Sequence, residues 1–169
     1  MDILKKYIKE LINIRKELDI LDKRNLWNYK TLPKKGITYN QINLFENKMK
    51  KTFPIEYKHL LTLLNGWDFF WQDISLFSID DYNDEKLMKY TWDILNVIDT
   101  ENVEKLFPIG IDKNNIDLIV IVEAGYKDEG NVIWFAGYEI ERYENLAKFF
   151  KGMGDLLKED VIDFKNGTY

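Results

Sequence analysis

The sequence predicts an α+β domain: a twisted, mostly antiparallel sheet of about five to six strands, packed against N-terminal helices and a C-terminal helix. Three observations carry this expectation. The first third of the 169 residues sets apolar side chains at three-and-four spacing; the middle breaks into short β-branched and aromatic runs between turn residues; the end returns to helical spacing.

Between residues 2 and 22, Leu4, Tyr7, Ile8, Leu11, Ile14, Leu18 and Leu21 form the stripe of an amphipathic helix. That stripe fits a helix covering the core, and it equally fits one pairing with a second copy. Leu26 and Trp27 give the connection something to pack, and residues 30–36 (KTLPKKG) read as a short basic link. A second helix begins at Thr38, where Thr38 and Gln41 form a capping box, and Ile42, Phe45 and Met49 supply its buried face. Phe53-Pro54 opens a third helix, with Pro54 at the tolerated first turn. Tyr57, Leu60, Leu61 and Leu64 line one face, and Gly66 stands where a left-handed C-terminal residue is wanted.

Composition changes after Gly66. Residues 67–71 and 74–79 read as strands joined at Gln72-Asp73. Residues 80–83 cap a helix over about 84–96 that turns Leu87, Met88, Trp92 and Leu95 inward. After a loop come strands at 106–112, 117–123 and 131–137, separated by turns at 113–115 and 127–130. The continuous apolar run 118–122 suits a central strand covered on both faces. A last helix starts near Arg142 and buries Leu146, Phe149, Phe150 and Met153, while Gly152 and Gly154 blur its end.

The 24 basic side chains face 29 acidic ones, for a net charge of −5. That balance, with only Arg15, Arg24 and Arg142 as arginines, argues against direct binding to nucleic acid or to an anionic membrane. With no cysteine, disulfides, thiolate nucleophiles and Cys-ligated metals are excluded; a single histidine removes multi-histidine metal sites. No cofactor is implied. Lys5, Lys6, Lys9 and Glu10 interrupt the apolar N-terminus, and the run 118–122 falls far short of the roughly 20 residues that span a bilayer. The expectation is one cytoplasmic domain over residues 1–169.

The central stretch resembles the SUKH superfamily, the Smi/Knr-like proteins. The residues that carry the likeness are Thr38, Ile42, Glu46, Phe53-Pro54, Glu56-Tyr57, Leu60-Leu61 and Asn65-Gly66. Leu76-Phe77, Trp92, the run from Phe107 to Gly110, Val132, Asn145-Leu146 and Phe149-Phe150 follow in the expected order. The resemblance spans about residues 38–151, and residues 1–37 form a helical extension. It implies binding rather than catalysis. Many bacterial SUKH-like proteins resemble immunity proteins of toxin–antitoxin type, which neutralise a polymorphic toxin domain, often a nuclease or deaminase. Eukaryotic relatives act as regulatory adaptors, and that reading stands beside the first.

Two features could suggest chemistry and do not carry it. His59 lies beside an apolar helical stripe with no nucleophile and orienting acid placed near it. Residues 112–117 mimic the start of a calcium loop, but Ile116 and Asp117 stand where an oxygen donor and a glycine belong. A turn held by Asp and Asn side chains accounts for the pattern. A paired-carboxylate hydrolase using Asp68 and Asp73 with Glu123 is a third, weaker reading.

Partner binding falls on two segments. In Trp67–Asp73, strand alternation cannot send every aromatic into one core, so Trp67 and Trp71 beside Asp68 and Asp73 read as interface anchors. Asp80, Asp81 and Asp84 form an acidic cluster at a helix start, suited either to the helix dipole or to a basic toxin domain. The predicted partner is thus a protein, a basic toxin domain, held by surface shape and charge.

Overall fold

A computed structural model describes residues 2–98 and 103–168. Helix α1 (Ile3–Leu21) starts at Asp2, whose carboxylate accepts from Leu4 N–H at 3.0 Å, and buries Leu4, Ile8, Leu11 and Leu18. Helix α2 (Tyr39–Met49) opens on the expected capping box: Gln41 N–H donates to Thr38 Oγ1, and Thr38 N–H donates to Gln41 Oε1 at 2.9 Å. Lys50, left-handed at φ 51°, ends it.

Helix α3 (Ile55–Leu63) follows after Pro54. Glu46 holds the α2–α3 connection, accepting from Phe53 N–H at 2.6 Å and pairing with Lys58 Nζ at 2.9 Å. Gly66 does not cap α3 as expected. The chain leaves the helix extended at Leu64, which bridges Lys35, and Gly66 takes φ 87° where it packs against Ser78. An added Cβ there would sit 2.6 Å from Ser78 N, so close approach and positive φ both demand glycine.

The sheet has six strands in sequence order, every neighbouring pair antiparallel. Strand β1 (Trp67–Trp71) and strand β2 (Ile74–Leu76) form the expected hairpin around Gln72-Asp73. A 3-10 turn (Ile79–Asn83) and helix α4 (Glu85–Val97) are inserted before strand β3 (Leu106–Asp112). The loop expected after α4 falls partly on residues 99–102, outside the described residues. Strands β4 (Asp117–Val122) and β5 (Val132–Ala136) match their apolar runs, and β4 is buried on both faces from Leu118 onward.

Residues 139–143 depart from expectation. They form a sixth strand, β6 (Glu139–Tyr143), and helix α5 (Leu146–Asn166) begins only after its Asn145 cap, not near Arg142. Sheet pairing with β5 overrides the local signal, which is weak because β6 is an edge strand exposed at four of five positions. Nor do the glycines end α5. It runs through Gly152 and Gly154, and the Tyr143 ring lies so close to Gly152 that a Cβ there would meet it.

Two aromatic clusters fill the core. Phe53 meets Tyr82 at 5.0 Å and Phe107 at 5.3 Å between ring centroids, with Tyr57 and Phe77 around them. Phe70 of β1 meets Phe149 and Phe150 of α5 at 5.7 and 5.4 Å. Helix α1 packs along α5, which seats the N-terminal extension within the same core as the sheet. Among the described residues, no helix is long and apolar enough to cross a membrane.

Candidate functional site

Strand β1 does not alternate. Phe69 sits left-handed at φ 51°, and its N–H donates to the Ser75 hydroxyl at 3.0 Å in place of a ladder carbonyl. The bulge lets Trp67 and Phe70, three residues apart, both enter the core. Trp67 is therefore corrected from interface anchor to core: it is fully buried, and its indole N–H donates to Thr31 O at 3.2 Å. Asp68 is half-exposed and ion-paired with Lys34 at 3.6 Å.

The acidic cluster divides in the same way. Asp81 accepts from Ser78 N–H at 2.7 Å and from the Ser78 hydroxyl at 2.6 Å, closing a capping box. Asp84 caps α4, accepting from Lys86 and Leu87 N–H at 3.0 Å each. Asp80 alone of the three projects freely, beside Ile37, Leu44 and Lys48. These residues follow β2, while Asp73 precedes it, so Trp71 and Asp73 lie at the opposite end of the β1–β2 hairpin from the acidic cluster, and Trp67 and Asp68 lie at the cluster's end.

Trp71 and Asp73 share their end of the sheet with the β3–β4 and β5–β6 turns. The Trp71 ring meets Trp134 of β5 edge-on, with centroids 4.8 Å apart and planes at 77°. In a flat sheet β1 and β5 would stand four strand spacings apart, about 19 Å, so the sheet curls to bring them together. Trp134 donates its indole N–H to Asp117 Oδ1 at 2.7 Å. Ile116, 46% exposed, lies against Gly137, where an added Cβ would come within 3.0 Å of its Cδ1. Tyr138 next to it is 70% exposed.

The turn end of the sheet thus carries Trp71, Ile116, Trp134 and Tyr138 together with Asp73 and Asp117. Trp71 and Trp134 are half-buried, which holds their rings in place, whereas Tyr138 stands free. Fixed aromatic groups beside carboxylates are what protein interfaces use as anchors. Trp71 Nε1 is buried there with no hydrogen-bond partner among the described residues, an unmet donor at the edge of the patch. Sequence reasoning missed Ile116, Asp117, Trp134 and Tyr138. The available signal was Gly137-Tyr138, a large aromatic residue placed in a turn.

The other sequence candidates resolve plainly. Asp112 accepts from Asn114 N–H at 2.7 Å, and Asn115 Oδ1 accepts from Ile116 N–H at 2.9 Å, so the 112–117 segment is tied by its own side chains. His59 Nε2 lies 2.8 Å from Asp2 Oδ2. It borders an open, mainly apolar groove of about 410 Å³ lined, among the described residues, by no Ser, Thr or Lys. Asp73 and Glu123 do not converge: the first lies in the β1–β2 turn, the second directly after β4 at the far end of the sheet. Among the described residues, no three His, Asp or Glu side chains gather as metal ligands.

No curated protein matches the chain significantly. The profile of the SMI1/KNR4 family (SUKH-1) matches residues 36–159, from just before the Thr38 capping box to well inside α5, and the chain belongs to that family.

Proposed function

We propose that this chain is a non-enzymatic protein-binding domain of the immunity type, acting in the cytoplasm by holding a toxin domain in direct contact and covering its active face. The observation that carries this reading is the turn end of the sheet, where Trp71, Trp134 and Tyr138 stand among Asp73 and Asp117. Rigid aromatic rings bury large apolar area at low entropic cost. Carboxylates between them take the place of the phosphates that a nuclease or deaminase surface would otherwise hold. The net charge of −5 steers a basic domain toward the protein. Family membership supports binding as the mode of action.

The test is co-expression with a toxin encoded beside the gene, followed by co-purification and a growth-protection assay. Replacing Tyr138 by Ala together with Asp73→Lys should weaken capture at least about tenfold while leaving the unfolding midpoint unchanged, since both side chains are exposed. Full protection by that double variant removes the turn end as the site. Capture of a cellular protein with no toxin activity replaces the immunity reading with a regulatory adaptor on the same fold.

A further inference from the structure

The left-handed Lys50 that ends α2 turns the chain back on itself, and Lys51 enters the space between α4 and β3. Its ammonium lies 4.6 Å from the Trp92 ring centroid and 4.8 Å from that of Phe107. Among the described residues no carboxylate comes within the 4.0 Å of an ion pair. Burial draws its pKa down, with the charge of Glu123 opposing at longer range. Here is a half-buried cation faced by rings, with Glu123 acting on it only at a distance and no carboxylate among the described residues in direct contact.

That cation opens into a cavity of about 180 Å³ lined by Phe45, Met49, Phe53, Met88 and Trp92. Tyr82 also borders it, but its hydroxyl is spent on Pro108 O at 2.8 Å, which leaves the ammonium as the free donor of this lining. A cavity of about 150 Å³ admits one benzene, so this one accepts a single ring with a small substituent. Two thioethers and four rings make an adaptable apolar wall. A single half-hydrated ammonium complements one negative charge better than the nearly two of a phosphate monoester.

We infer that this cavity binds a small organic monocarboxylate whose apolar part is about one ring in size, its carboxylate meeting Lys51 Nζ. The ring would lie among Phe45, Met88 and Trp92, and the carboxylate would make the direct ion pair that Glu123, acting from longer range, does not make. The site is independent of the turn end and of the immunity reading.

Phenylacetate is the probe and phenylacetamide its neutral twin, each titrated into the intact protein while the Trp92 indole resonance is followed by NMR. Phenylacetate should shift that resonance saturably and bind about tenfold more tightly than the amide, the margin of one charge-assisted hydrogen bond. In K51M, which keeps the apolar stem, the two probes should bind alike. Equal binding of both by the unaltered protein, a preference that survives K51M, or no response at Trp92 each overturns the site. The comparison within the unaltered protein stands even where K51M fails to fold.

Discussion

The guanidinium of Arg15 donates to the backbone carbonyl of Phe70 at 2.8 Å, joining α1 to β1 across the core. The same group donates to Asn28 O at 2.6 Å and Thr31 Oγ1 at 2.8 Å, and it lies 5.5 Å from the ring centroids of both Tyr29 and Trp67. It is 1% exposed. Helix α1 precedes the residues that match the family, yet it supplies the donor that satisfies a core-strand carbonyl.

Arg15→Met tests that tie. The apolar volume is largely kept, but the buried Phe70 carbonyl loses the guanidinium donor, while Asn28 O still accepts from Thr31 N–H at 3.3 Å and the Thr31 hydroxyl at 3.1 Å. Leaving one buried acceptor unpaired costs about 1–3 kcal/mol, so a loss of roughly that size is expected in urea denaturation. A loss below about 0.5 kcal/mol would mean that water replaces the guanidinium at no penalty.

Trp71 and Trp134 close the curl of the sheet. Edge-to-face aromatic pairs contribute about 0.5–1.5 kcal/mol beyond the area they bury. A double-mutant cycle with Trp71→Ala and Trp134→Ala should therefore show a coupling energy near 1 kcal/mol. Strict additivity of the two substitutions would show that the rings touch without holding the strands together.

The two glycines of α5 should respond in opposite directions. At Gly152 an added Cβ would sit 2.5 Å from Cε1 of Tyr143, whose hydroxyl is held by Glu141 at 2.8 Å. Gly152→Ala should therefore destabilise by about 1–3 kcal/mol, outweighing its gain in helix propensity. At Gly154 the nearest atom is Ile14 Cδ1 at 3.9 Å, so Gly154→Ala should stabilise by about 0.5–1 kcal/mol. Thermal melts that move in the same direction for both variants contradict this account.

Alkali should unfold the protein through its tyrosines. Burial pushes the Tyr57 and Tyr82 hydroxyls above the usual tyrosine range, and it does the same to Tyr143 with help from Glu141. Above pH 10 the unfolded chain ionises them while the folded chain keeps the protons. Their contribution is thus complete below pH 10 and falls by up to about 1.4 kcal/mol per pH unit for each fully buried tyrosine. Arg15, drawn down to about 10 by burial, has the opposite sign, but one group does not outweigh three. Far-ultraviolet circular dichroism and tyrosinate absorbance should change together above pH 10. Tyrosinate appearing well before loss of structure would show that these hydroxyls reach water in the folded state.

The sequence by itself determined the class of the fold, five of the six strands, the buried faces of α1, α3 and α5 and the capping box at Thr38, because these follow from short-range periodicity and local hydrogen bonds, whereas in α2 Met49 is exposed rather than buried. Tertiary structure decided that Trp67 turns inward, because the Phe69 bulge cancels the alternation a regular strand would impose. It decided that residues 139–143 form a strand, since pairing with β5 gives that segment its hydrogen bonds. Above all it decided that Trp71 and Trp134 meet. That meeting depends on the curl accumulated across five paired strands, a long-range quantity that no local spacing of residues encodes.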